Sequence, residues 1–158
     1  MTKLELKSLA EYFGQFLPAG KIKDRETRLA VVLLYGSLAK PAKDVADEIE
    51  TIRKTLTEGK DEELKKYAEL MRKAGDKTLA EAEREAAKKE ASGMADCVQI
   101  DKDFQEALAK VYGEAIEPDI KRIPLGLLYD GLADCGFPRF SPDMPISAVE
   151  TIFKEVLQ

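Results

Sequence analysis

Leu29-Ala-Val-Val-Leu-Leu-Tyr35 is the stretch of sequence on which the interpretation of the whole fold depends. These seven residues form the longest apolar run of the chain, whereas a helix that crosses a membrane needs about 20. As a helix, the run would carry apolar side chains on every side, which is typical of a central, buried helix. Its adjacent valines would also suit a strand, but no second segment of the sequence offers a partner strand. We therefore predict a helix from an N-cap at Asp24 to about Ala39, with Leu33 and Leu34 both in the core.

Helical periodicity continues on both sides of this run. After Pro41, apolar residues from Val45 to Leu56 recur at spacings of four, three and four. Capping boxes that open further helices are predicted at 78–81, 103–106 and 147–150. Together these signals predict helices at residues 3–17, 24–39, 41–58, 61–75, 78–91, 103–117, 124–135 and 147–157. Because short connections make neighbouring helices antiparallel, we predict an all-α fold, an irregular or orthogonal helical bundle of about eight helices.

The chain is long enough for one compact domain. A domain of this size hides roughly 70% of the surface of its unfolded chain, which is sufficient for a core. We expect a single helical domain over residues 1–158. Within it, the mixed-charge pattern of residues 42–91 suits a sub-element that protrudes as a helical hairpin, and a joint is predicted near residues 92–100, where the periodicity fades.

Composition and charge exclude several classes of protein. Hydrophobic residues make up 44% and charged residues 35%, which suits neither a disordered polyelectrolyte nor a membrane protein. The two cysteines are too few for the disulfide framework of a small secreted fold, and the N-terminus has no signal-peptide pattern. We therefore expect a cytoplasmic protein with reduced thiols. The net charge of −5 lacks the one-sided basic field that nucleic acid requires.

Enzymatic chemistry has little support in the sequence. The chain contains no histidine, which removes Ser-His-Asp and Cys-His catalysis and every histidine-ligated metal site. The segment from Gly14 to Lys21 fails the spacing of a phosphate loop, and that from Asp101 to Tyr112 lacks the glycine and glutamate of a calcium loop. We therefore predict no cofactor and no metal site, and an enzyme remains an open but disfavoured reading.

The first functional hypothesis is a helical protein–protein interaction or assembly module that self-associates or serves as an adaptor. It rests on the elimination of other classes and on one predicted helix whose apolar face is made almost entirely of alanine. Small residues permit the close approach of another chain, so Ala82 and Ala86 are candidate interaction residues. Phe137, Arg139 and Phe140, which lie in a proline-rich loop, are the other candidates, because ordered loops often carry function.

Two alternatives remain open at this stage. A small enzyme or ligand binder would have its pocket near the loop 137–145, which contains three prolines. A nucleic-acid accessory protein would use a basic cluster near the start of the second helix. The residues of that cluster are Lys21, Lys23, Arg25 and Arg28. We expect a protein partner or a second copy of the chain, no membrane, and nucleic acid only as the disfavoured partner.

Overall fold

The structure is a computed structural model that describes residues 1–18, 21–137, 150–151, 154 and 156. In this part of the chain the regular elements are helices, and pairing of extended backbone is limited to one isolated bridge between Thr2 and Ala115. The elements in chain order are α1 (Lys3–Gly14), α2 (Arg25–Thr57), α3 (Asp61–Gly75), α4 (Glu81–Ser92), α5 (Ala95–Gly113), α6 (Leu125–Leu132) and a 3₁₀ turn (Ala133–Cys135). The all-α prediction is confirmed.

The described residues contain six α-helices, fewer than the eight predicted. One reason is that α2 continues through Pro41, where the sequence predicts a break because proline lacks an N–H and its ring clashes with the preceding turn. Burial of Leu38 before Pro41 and of Val45 after it holds the helix against this cost. The other reason is that most of the helix predicted at 147–157 lies outside the described residues.

The N-terminus of α2 is capped as predicted. The Asp24 carboxylate accepts a hydrogen bond from the backbone N–H of Thr27 at 2.6 Å, and this bond holds the pKa of Asp24 below its usual value. A full capping box also opens α1, where the Thr2 hydroxyl and the Glu5 carboxylate each accept the other's backbone N–H. The Thr-x-x-Glu pattern of this second cap is visible in the sequence, but it was not among the predicted boxes.

Two of the predicted capping boxes are wrong, and the one at 147–150 lies outside the described residues except for Glu150. Helix α4 begins at Glu81, and Thr78 instead donates its hydroxyl hydrogen to Asp76 at 2.6 Å in the preceding turn. Asp103 lies inside α5 and accepts a hydrogen bond from the Gln99 amide one turn earlier. In a sequence this rich in Glu and Asp, the four-residue signature of a cap recurs inside helices as well as at their ends.

The described chain forms two compact units, each with its own packing. The terminal unit comprises Met1–Asp47 and Val111–Gln158, and the middle unit comprises Glu48–Lys110. Backbone hydrogen bonds join distant segments of the terminal unit. Lys3 N donates to Glu114 O at 2.9 Å, and Ile116 N donates to Met1 O at 2.8 Å. The start of α1 and the segment that follows α5 therefore belong to one folded unit.

One face of α2 supplies much of the core of the terminal unit. Val31, Leu34 and Leu38 are fully buried, together with apolar side chains of α1 and α6. Their spacing of three and four residues places them on one side of the helix. The prediction that Leu33 is a core residue is wrong, because Leu33 lies on the opposite side and 55% of its surface is exposed.

A close approach of α2 and α6 contributes to this core. Gly131 of α6 lies against the buried Thr27 of α2, and a methyl group at Gly131 would overlap Thr27 Oγ1, Cγ2 and Cβ. The Thr27 hydroxyl lies 3.4 Å from the carbonyl oxygen of Leu127, to which it donates. Glycine at position 131 thus allows α2 and α6 to approach each other more closely than any side chain at this position would permit.

The middle unit has a smaller core between α3 and α4. Leu70 of α3 packs against Ala87 and Ala91 of α4, with Tyr67, Ala74 and Met94 around them. An ion pair between Lys66 and Glu90, at 2.8 Å, joins the two helices at their surface. The segment 92–100, predicted as a joint without periodicity, is mostly helical because α5 begins at Ala95.

Leu33→Ala and Leu34→Ala should differ strongly in their effect on stability. Truncation of the fully buried Leu34 leaves a cavity and should lower the free energy of unfolding by about 2–5 kcal/mol. Truncation of the exposed Leu33 should change it by less than about 0.5 kcal/mol. Urea unfolding at low protein concentration, followed by circular dichroism, measures both. Equal losses for the two variants would mean that α2 is rotated relative to this structure.

Gly131→Ala should destabilise the protein although alanine favours helix. The helix-propensity gain is at most about 1 kcal/mol, whereas overpacking against the buried Thr27 costs about 1–3 kcal/mol. Gly126→Ala in the same helix is the matched control, since a methyl group there meets no described atom within 4 Å. Thermal unfolding should show a lower midpoint for Gly131→Ala and an equal or higher one for Gly126→Ala. The reverse order would contradict the α2–α6 contact.

Candidate interaction surface

A patch of large apolar side chains is exposed on α2 in the terminal unit. The exposed fractions are 60% for Leu29, 48% for Val32 and 55% for Leu33. Gly36 follows on the same side of the helix and is also exposed. The spacing of these residues places them on one face, opposite the buried face. We call Leu29, Val32, Leu33 and Gly36 the exposed α2 face.

This face departs from the pattern of an ordinary surface helix. A helix that packs on one side normally has polar side chains on the other, whereas the α2 segment from Leu29 to Gly36 is apolar on both sides. Burying a leucine or valine side chain stabilises a protein by about 1.5–3 kcal/mol. A partner that covered the exposed α2 face would remove these side chains from water, and part of that free energy would stabilise the complex.

Charged side chains border the exposed α2 face at both ends. Arg25 and Glu26 lie one turn before Leu29, and Lys40 lies one turn after Gly36. All three side chains are exposed, and none forms an ion pair within the described residues. Between them, a methyl group on Gly36 would meet no described atom within 4 Å, so the surface is open at this point.

The alanines of α4 divide into a buried pair and an exposed pair. Ala87 and Ala91 are buried against Leu70 of α3, so they belong to the small core between α3 and α4. The predicted interaction residues Ala82 and Ala86 are exposed. Ala86 borders a shallow depression of about 500 Å³ whose other lining residues are Glu85, Lys88, Lys89 and Ser92.

Phe137 lies in an aromatic cluster of the terminal unit. Only 7% of its surface is exposed, and its ring contacts those of Tyr12, Phe16 and Tyr129 at centroid distances of 5.3–6.3 Å. Burial raises the pKa of Tyr12 to about 12, which keeps this phenol neutral. Phe137 is therefore part of the packing. The other predicted loop residues, Arg139 and Phe140, and the rest of the pocket predicted near 137–145 lie outside the described residues.

The basic cluster predicted for nucleic acid is largely engaged within the terminal unit. Lys21 donates to the carbonyl oxygen of Gln15 at 3.0 Å. Arg28 donates to the carbonyl oxygen of Ile22 through both Nε and a terminal nitrogen, at 3.0 and 2.6 Å.

The remaining two cations of this cluster differ in their contacts. Lys23 forms an ion pair with Asp134 at 3.0 Å, and this hydrogen bond raises the pKa of Lys23. Arg25 is exposed at the start of α2. Three of the four cations therefore already have acceptors for their donor groups, and the Asp134 carboxylate offsets one of the four positive charges.

An open cleft of about 510 Å³ lies between the starts of α3 and α5 in the middle unit. Glu62, Glu63, Lys66, Met94 and Asp96 line it, with the buried Cys97. Its charges pair with neighbouring side chains. Asp96 accepts a hydrogen bond from Lys60 at 2.7 Å, which raises the pKa of Lys60, and Lys66 is paired with Glu90. Within the described residues, no group of three or more acidic or cysteine side chains is arranged to hold a metal ion.

Comparison with protein-family models, with curated proteins and with solved structures finds no match to this chain. Over the described residues, none of the helices combines the length and the apolar character that a membrane span requires.

The exposed α2 face was missed at the sequence level, although a signal for it was present. A helix that is apolar on all sides can be buried all round, or it can be buried on one side and exposed on the other for a partner. Burial all round is the prediction made above for Leu29 to Tyr35, and it is wrong for Leu29, Val32 and Leu33. Charged residues on both sides of the run, from Asp24 to Arg28 and again at Lys40, would have supported the second.

Ala86→Arg and Ala87→Arg should separate the exposed from the buried side of α4. Arginine at the exposed position 86 should leave the helical content intact, because its helix propensity is close to that of alanine. Arginine at the buried position 87 should lower stability by about 1–3 kcal/mol through overpacking against α3. Circular dichroism measures the helical content, and urea unfolding measures the stability of each variant. If a folded Ala86→Arg variant had a lower mass in light scattering than the wild-type chain, the exposed side of α4 would be an interaction surface.

Proposed function

We propose that the chain is a helical protein–protein interaction module that binds its partner through the exposed α2 face. The observation that carries this proposal is the exposure of Leu29, Val32 and Leu33 on a helix whose opposite face is fully buried. Exposed apolar side chains that cluster on one surface mark interaction sites more often than single exposed ones do. The other large exposed apolar residues of the described chain, Met71, Val98 and Tyr129, lie on separate helices.

The rigidity of α2 supports this proposal. Val31, Leu34 and Leu38 are completely buried, so the helix that carries the exposed α2 face is held in place before any partner arrives. A preorganised surface loses little conformational entropy on binding. Apolar residues at i, i+3, i+4 and i+7, surrounded by charged residues, are also the pattern that a helix uses when it docks into an apolar groove or against another helix.

The alternatives have weaker support. In the cleft of the middle unit, Asp96 and Lys66 pair with side chains outside the lining, Lys60 and Glu90, so they do not converge on an empty position as the polar groups of a ligand site do. Three of the basic residues proposed for nucleic acid have acceptors within the terminal unit. We also propose a cytoplasmic location, since Cys97 and Cys135 are both free thiols, which the reducing cytosol preserves.

A photocrosslinking side chain placed at Val32 should form a discrete covalent adduct with a partner protein in the cells that make this chain. Val98 is the matched control, since it is also an exposed valine, on α5. The adduct at Val32 should disappear when Leu33→Lys is added and when excess unlabelled chain competes. Denaturing electrophoresis followed by mass spectrometry identifies it. Equal adducts at Val32 and Val98, or none at either position, would contradict the proposed surface.

A further inference from the structure

We draw no further inference here: the strongest candidate, the exposed α2 face of the terminal unit, is bordered by charges of both signs that favour no single partner, and nothing in the structure shows what covers it.

Discussion

Burial of one face of α2 is the constraint on which the terminal unit depends. Val31, Leu34 and Leu38 lie in its core without exposed surface, and Thr27 lies directly against Gly131 of α6. Burial of Leu38 before Pro41 and of Val45 one turn after it contributes about 1.5–3 kcal/mol for each side chain, which offsets the roughly 3 kcal/mol that a proline inside a helix costs. This balance explains why α2 continues through Pro41 as one helix.

The same constraint fixes which apolar side chains remain outside. A helix that meets a core from one side buries residues over only part of its circumference, and the close contact of Thr27 with Gly131 allows no rotation. A rotation of α2 about its own axis that buried Leu33 would expose Leu34, because adjacent residues lie about 100° apart around the helix. The fold of the terminal unit therefore does not require Leu29, Val32 and Leu33 to be apolar. An interaction with a partner is the better explanation of their apolar side chains.

The sequence predicted those features that arise from neighbouring residues. Periodicity indicated the helices, and the short side chain of Asp24 before the run identified the start of α2. Features that depend on distant contacts could not be read in this way. The pairing of Met1 with Ile116 joins segments far apart in the sequence, and the side of α2 that faces the core is set by such contacts. Local propensity alone also ended the predicted helix at Pro41, because it does not include the burial of Leu38 and Val45.

The amount of apolar surface decides between the two helices that were candidates for the interaction surface. Hydrophobic stabilisation grows with the apolar area removed from water, at about 25 cal/mol per Å². The exposed alanines of α4, Ala82 and Ala86, offer one methyl group each, and charged side chains surround them. The exposed α2 face offers two leucines and a valine on a helix already fixed by its buried side. Small residues permit close approach but supply little free energy, so the larger side chains of α2 are the better physical basis for a partner.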